Sequence, residues 1–151
     1  MPKKETIKKA KELKREGKSP STQAGEFIRQ EIETIREGKH GARSAKQAIA
    51  IGLSEARRAG VDLPPPKKGK YSEEVREQAK RELKHGKEHP NAKPNPKRSK
   101  AATEALKKED DAAASHLALV RHAKAAARAR TPDERSASAK KAAETRKRNK
   151  K

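Results

Sequence analysis

Residues 21–63 read STQAGEFIRQEIETIREGKHGARSAKQAIAIGLSEARRAGVDL, and this stretch decides the fold. Its first half spaces apolar side chains by three and four residues, which is the pattern of one face of an α-helix: Ala24, Phe27, Ile28, Ile32 and Ile35. Ser21 or Thr22 can cap this helix, which is expected to end near Glu37. Glu31 falls within the apolar face, so we expect it at the fringe of that face or paired with a neighbouring cation.

A second amphipathic helix follows a short connector, residues 38–43, whose two glycines allow left-handed backbone angles. Ser44 and Gln47 form a Ser-x-x-Gln capping box at the start of this helix. Its apolar face contains small residues that allow close approach to the preceding helix: Ala45, Ala48, Ile49, Gly52, Leu53 and Ala56. Gly60 predicts a glycine C-cap. Residues 21–66 are therefore predicted to form a helical hairpin.

Two helices of this length bury too little apolar area to be stable alone. The missing cover can come from the basic N-terminal helix or arm, residues 1–20, or from a fourth helix within residues 67–86. It can also come from a second copy of the chain or another protein partner on the apolar faces. The fourth helix is expected to begin near Ser72 and to stop at Gly86. The predicted fold class is all-α, a small amphipathic hairpin or bundle over residues 4–86.

The C-terminal half differs in composition from the hairpin. Residues 87–98 form a proline-rich linker, which we interpret as the domain boundary because its prolines preclude a helix. Residues 99–151 are rich in Ala, Lys and Arg. Alanine favours helix formation, but the scarcity of large apolar side chains leaves little to pack. We expect this tail to be helical but partly disordered, and to become ordered on a polyanion.

Charge dominates the composition of the 151-residue chain, in which 41 Lys and Arg oppose 21 Asp and Glu for a formal net charge of +20. A field of this sign attracts polyanions, because neutralising phosphates releases condensed counterions. The chain holds one Phe, one Tyr and no Trp. This scarcity of aromatic rings argues against the base stacking used on single strands, so duplex DNA is favoured over RNA.

Several classes of function are excluded by what the sequence lacks. It contains no cysteine, so neither disulfides nor thiolate chemistry is available. No apolar run approaches the length of a membrane span, and no phosphate loop or nucleophile motif is present. The five histidines have no spacing typical of a metal site. We therefore expect no enzyme activity, cofactor, metal, small-molecule substrate or membrane association, and we expect a cytoplasmic protein.

Two sets of basic residues are candidates for contacting phosphates. The first lies on the connector and the following helix, where free N–H groups at a helix start suit an anion: Lys39, His40, Arg43, Lys46 and Arg57. The second lies in the tail, which resembles linker-histone tails in composition: Arg98, Lys100, Arg121, Lys124, Arg128, Arg130, Arg135, Lys140, Lys141, Arg146, Lys147 and Arg148.

One motif resembles a known family. Residues 39–56 fit the pattern KHGxRSxKQAIAIxLSxA, which is similar to a family of small basic bacterial proteins of unknown function that are often labelled DNA-binding. The resemblance implies a bacterial cytoplasmic protein with a compact helical motif. It supplies no established binding residues and no mechanism.

The leading hypothesis is therefore sequence-tolerant binding to nucleic acid, duplex DNA above all, by a nucleoid-associated or accessory protein. One alternative is a hydrophilic stress-protective protein without a specific partner, which the mean hydropathy of −1.29 favours. Another alternative is a factor associated with RNA or the ribosome, which the charge alone does not separate from a DNA-binding protein.

Overall fold

A computed structural model describes residues 2–90 and 92–150. Met1 of the N-terminal arm, Asn91 of the linker and Lys151 of the tail lie outside the described residues. The described residues form seven α-helices and one short 3-10 turn with no strand, which confirms the all-α class. The chain divides into two compact units, residues 1–115 and residues 116–151, here called unit 1 and unit 2.

Unit 1 contains five helices and the 3-10 turn. The bounds are α1 Lys4–Arg15, α2 Pro20–Arg36, α3 Ala45–Arg58, α4 Glu73–Glu88 and α5 Pro96–Leu106, followed by the turn Ala112–Ala114.

Helices α2 and α3 form the predicted hairpin. Phe27 and Ile35 are fully buried on the predicted face of α2, and Ala48 and Ala56 are fully buried on that of α3. Gly52 brings the two backbones together, because a Cβ at that position would lie 2.7 Å from the Cα of Ile28. The small residues of α3 therefore allow the close approach that the sequence predicted.

The N-cap of α2 differs from the predicted one. The N-cap is Ser19, whereas the sequence predicted Ser21 or Thr22. The hydroxyl of Ser19 accepts a hydrogen bond from the backbone N–H of Thr22. Pro20 occupies the first helical position, where its missing N–H costs nothing. The helix therefore begins earlier than expected.

The missing cover of the hairpin comes from α1 and α4. Ala10 of α1 is buried against Phe27, Ala24, Ala56 and Val61. The hydroxyl of Thr6 donates to the buried Gln30 Oε1 at 2.7 Å, which fixes α1 along α2. On the other side, Ser54 of α3 donates to a carboxylate oxygen of Glu82 on α4.

The prediction that α4 stops at Gly86 was wrong. The helix runs through Gly86 to Glu88, and Gly86 is buried. A Cβ at Gly86 would lie only 1.9 Å from the carbonyl oxygen of Arg57, at the end of α3. This glycine marks a close crossing of two helices, so its missing side chain serves packing and does not end the helix.

Unit 1 also extends beyond the linker in which the sequence placed the domain boundary. The backbone N–H of Gly41 donates to the carbonyl of Leu106 and that of Ala42 to the carbonyl of Asp110, each at 2.9 Å. The guanidinium Nε of Arg36 donates to the carbonyl of Ala114, also at 2.9 Å. These bonds hold residues 106–114, here called the strap, against the connector and move the boundary to residue 115.

Unit 2 consists of α6, His116–Arg128, and α7, Pro132–Asn149. Thr131 and Glu134 make a complete capping box at the start of α7, with Pro132 at its first position. None of the described residues from 116 to 150 is buried. The expected helical content of the tail is confirmed, whereas its expected partial disorder is not, because caps and alanine-rich sequence support regular helices.

Candidate nucleic-acid interface

The connector joins α2 to α3 and is held on both sides. Gly38 ends α2 in a left-handed conformation, φ 70°, with Lys39 N–H donating back to Thr34. Gly41 is required for a different reason, because there is no room for a side chain at this position. A Cβ there would lie 2.0 Å from the carbonyl oxygen of Glu109 in the strap. The connector is therefore a fixed element and its backbone approaches the strap closely.

Three of the predicted connector cations are exposed to solvent, and each contacts another group. Lys39 Nζ lies 2.5 Å from the carboxylate of Glu37. Arg43 Nε lies 3.5 Å from that of Glu109. Lys46 Nζ lies 5.3 Å from the centre of the Tyr71 ring, in a cation–π contact. Carboxylates therefore already offset two of these three charges.

The strap adds more acid to the same surface. Lys107 and Lys108, which the sequence did not single out, lie beside Glu109, Asp110 and Asp111. Asp110 Oδ1 accepts a hydrogen bond from the N–H of Ala112 at 2.9 Å, and such backbone bonds lower the pKa of Asp110. The connector and strap thus combine cations and carboxylates in similar number, which weakens their attraction for phosphate.

His40, a predicted phosphate contact, points inward. Its Nδ1 lies 3.1 Å from the carbonyl oxygen of Gly41, and because a carbonyl only accepts, Nδ1 carries the hydrogen. Its Nε2 lies 3.7 Å from Glu31 Oε1, an ion-pair distance that is too long for a hydrogen bond. The structure therefore corrects His40 to a partner of a buried carboxylate and not a surface contact.

Glu31 itself is 3% exposed and sits inside the hairpin, not at the fringe of its apolar face. The side chain of His40 lies at ion-pair distance from its Oε1, and the imidazole is a cation only when it is protonated. Burial raises the pKa of Glu31, the His40 side chain lowers it, and the nearby Glu55 carboxylate raises it. Within the described part of the chain its Oε1 accepts no hydrogen bond. The protonated form is thus favoured more than in a free carboxyl.

Arg57, the other inward-facing candidate, is 7% exposed. Its Nε and Nη2 donate to the carbonyls of Leu63 and Pro64, at 3.3 and 3.4 Å. Burial lowers the pKa of Arg57, partly offset by the Glu82 carboxylate. The side chain fixes the turn after α3, so the structure removes Arg57 from the phosphate-binding set.

Helix α5 presents Arg98 and Lys100 on its surface, as the sequence suggested. Lys100 lies 3.9 Å from Glu104, and it lines a shallow groove of 520 Å³ together with Lys93 and Lys107. Neither Lys93 nor Lys107 was among the predicted residues. Lys107 follows Lys100 by seven residues, a spacing that places both on one side of a helix, whereas Lys93 precedes α5 and no helical spacing points to it.

The predicted cations of α6 share one face of the helix. Arg121, Lys124 and Arg128 are spaced by three and four residues and are all exposed. Arg130 lies beyond the end of α6, where its carbonyl accepts a hydrogen bond from Arg135 Nη1 at 2.8 Å. The face of α6 is therefore built from three of the four predicted residues.

Helix α7 carries the remaining predicted cations, all of them exposed: Arg135, Lys140, Lys141, Arg146, Lys147 and Arg148. None of its described residues is buried, so no side of the helix is committed to packing. Its last turn holds Arg146, Lys147 and Arg148, where the helix dipole favours positive charge.

The balance of charge distinguishes unit 2 from unit 1 taken as a whole. Residues 116–151 contain twelve Lys and Arg but only three carboxylates, Asp133, Glu134 and Glu144. Three carboxylates cannot neutralise twelve cations, whatever their geometry. Most of the cations in unit 2 therefore remain available to an external anion.

Comparison with known proteins gives a family match over the segment that contains the hairpin. The chain is a basic, all-helical protein whose residues 14–68 match the model of a family of unknown function, DUF6496. The match covers about a third of the chain and includes α2, the connector and α3. It agrees with the resemblance to a family of unknown function. No curated protein and no solved structure matches the chain.

Two further classes of site are absent from residues 2–90 and 92–150. In that part of the chain, no three His, Asp or Glu side chains come together as a set that could hold a metal ion. Every described helix is too short or too polar to cross a lipid bilayer.

Proposed function

We propose that this protein binds nucleic acid with little regard to sequence, that duplex DNA is its main target, and that it is a nucleoid-associated or accessory protein. A single observation carries the proposal: residues 116–151 contain twelve cations against three carboxylates, and none of the described residues among them is buried. Neutralising phosphates with these side chains would release counterions, which is the main source of affinity in non-specific binding.

The nature of the side chains supports contacts to phosphate and not to bases. Long Lys and Arg side chains bind the backbone of a duplex without reading sequence. The two aromatic residues of the chain are both in unit 1, where Phe27 is buried and Tyr71 contacts Lys46. Unit 2 has no Phe, Tyr or Trp on which an unpaired base could stack. This difference favours a duplex over single-stranded DNA or RNA.

Unit 1 contributes less to binding in this proposal. Its connector cations Lys39 and Arg43 face carboxylates, and His40 and Arg57 point inward. The lysines of the α5 groove add a secondary surface. We therefore expect unit 2 to supply most of the phosphate contacts.

The proposal is tested with full-length protein and a 20-base-pair duplex, by fluorescence anisotropy across a salt series. The triple variant Arg146→Gln, Lys147→Gln and Arg148→Gln removes three charges from α7. The control Lys67→Gln, Lys68→Gln and Lys70→Gln removes three charges from an exposed loop of unit 1. Removing one phosphate contact lowers the slope of log K against log salt by about 0.9.

We expect the α7 variant to lower that slope by about 2 or more and the loop control to leave it nearly unchanged. Equal reductions in both variants would mean that net charge alone governs binding. If wild-type protein does not bind near physiological salt, the stress-protective alternative gains, and protection of a client enzyme during drying becomes the next assay. Preference for structured RNA over duplex DNA in competition would support the RNA alternative.

A further inference from the structure

The cations of α7 surround the helix on all sides. At about 100° per residue, Arg135 and Arg146 fall within about 20° of each other around the axis, and so do Lys140 and Lys147, and Lys141 and Arg148. These pairs are here called rows one, two and three. The rows are separated by about 100–140°, so they divide the circumference into three comparable parts.

No apolar contact selects one row as the binding face. No described residue of α7 is buried, and only Thr145 is half-buried. On an amphipathic helix, an apolar face packs and leaves one polar face to the partner. Here each third of the circumference holds one pair of cations, and the three carboxylates of the helix lie beside rows two and three.

A single duplex reaches only part of such a helix. The major groove is about 8.5 Å deep, whereas a helix with its side chains is about 10–12 Å across. Two rows can approach the phosphates of the two groove walls, and the third row then faces away from that duplex. A second duplex on the third row would release further counterions, which favours its binding.

We propose that this protein bridges two nucleic-acid duplexes through α7, with two rows on one duplex and the third row on another. This inference rests on the proposed binding function and adds an activity to it. The face of α6 formed by Arg121, Lys124 and Arg128 adds three exposed cations on one side of that helix.

Bridging is tested by capture, with the full chain and two unrelated duplexes. One duplex is immobilised on beads, the protein is bound at a charge ratio well below neutralisation, and a fluorescent second duplex is added after washing. Retained protein reports binding to the first duplex, and retained fluorescence reports bridging. Wild-type protein is expected to be retained and to capture the second duplex.

A variant of one row separates bridging from simple binding. Row three consists of Lys141 and Arg148, and the variant changes both residues to Gln. The control Lys67→Gln and Lys68→Gln removes the same amount of charge. Near 0.15 M salt each phosphate contact contributes about fivefold in affinity. The row variant should lower capture by about tenfold or more and retention by about threefold or less, while the control changes both by about twofold or less.

The outcomes distinguish the two proposals. If wild-type protein is not retained on the first duplex, the binding function itself fails. If it is retained but captures nothing, binding stands and bridging is wrong. If the row variant and the control reduce capture equally, or if capture arises from self-association and is insensitive to the row, α7 is not the bridging element and the inference is overturned. Circular dichroism confirms that α7 stays helical in the variant, since Gln is a good helix former.

Discussion

Units 1 and 2 are both charged and helical, but they use their cations differently. Unit 1 contains 29 Lys and Arg and 18 carboxylates, whereas unit 2 contains twelve and three. In unit 1, cations such as Arg57 and Arg36 donate to backbone carbonyls and hold turns and the strap in place. In unit 2, the cations outnumber the local carboxylates fourfold. Net charge therefore indicates function only after the structure shows which cations are already engaged.

The two units also differ in how they are stabilised. Phe27 and Ile35 are fully buried in unit 1, whereas Leu117, a large apolar side chain of unit 2, is 56% exposed. Tertiary packing stabilises the helices of unit 1. The helices of unit 2 depend more on propensity and capping, which are weaker and local.

The largest expected effect comes from truncating one large apolar side chain in each unit, Phe27 in unit 1 and Leu117 in unit 2. Phe27→Ala should destabilise the protein by about 3–5 kcal/mol, because it deletes a fully buried ring and leaves a cavity. Leu117→Ala should change the free energy of unfolding by about 0.5 kcal/mol or less. Urea unfolding followed by circular dichroism measures both. Similar destabilisation by the two variants would show that unit 2 has a packed core after all.

Two helical glycines give the next largest contrast, within unit 1 alone. Gly52→Ala should cost about 1–3 kcal/mol, because the new Cβ would meet the Ile28 backbone at 2.7 Å. Gly25→Ala, in α2, meets nothing within 4 Å and should stabilise by about 0.5–1 kcal/mol through helix propensity. Thermal melts of the two variants should shift in opposite directions. A shift in the same direction would contradict the close crossing of α2 and α3.

The buried carboxyl of Glu31 predicts a pH-dependent contribution to stability whose sign is opposite to that of an exposed, ion-paired carboxyl. Burial raises its pKa in the folded state, so the stability that it contributes is present below its unfolded pKa and is lost as the pH rises through the folded pKa. The Glu31→Gln variant has an amide in place of this carboxyl, and an amide does not ionise between pH 4 and pH 7. The free energy of unfolding of the variant minus that of wild type should therefore increase from pH 4 to pH 7, by on the order of 1 kcal/mol.

The control for that experiment is Glu37→Gln, which removes an exposed carboxyl next to the same connector. Its pKa is lowered by the hydrogen bond and the charge of Lys39, so its pH dependence has the opposite sign. A Glu31→Gln difference that stays constant or falls with rising pH would mean that the His40 contact outweighs burial.

The smallest effects come from the helix caps. Ser44→Ala removes the hydroxyl that accepts from Gln47 N–H and should cost unit 1 about 1 kcal/mol. Thr131→Ala removes the equivalent cap of α7. It should lower the helical signal of unit 2 while leaving the cooperative unfolding of unit 1 within about 0.5 kcal/mol. Hydrogen exchange at α7 and α3 amides separates the two responses.

Local patterns predicted the hairpin well. The spacing of Ala24, Phe27 and Ile35 identified the buried face of α2, and Ser44 and Gly60 marked the two ends of α3 correctly. These features depend on residues a few positions apart, so the sequence contains all that they need. The distribution of cations in unit 2 was also predictable, because helices without a packed side leave their charges exposed.

Other features depend on distant partners, and they were predicted wrongly or not at all. Gly86 was interpreted as a helix end because the sequence does not show which residue packs against it. In the structure that neighbour is the carbonyl of Arg57, on another helix. His40 and Arg57 were assigned to phosphate binding because their inward partners were not apparent. The strap was missed since its bonds to the connector join residues more than 60 positions apart.

The sequence by itself determined the helical class, the hairpin with its faces and caps, and the excess of cations near the C-terminus. Only the tertiary structure decided which cations are engaged, where unit 1 ends, and that a carboxyl lies buried beside His40. The physical reason is the range of the interactions. Helix periodicity and capping are set by neighbours within about two turns, whereas burial and the pairing of polar groups depend on which segments meet in space.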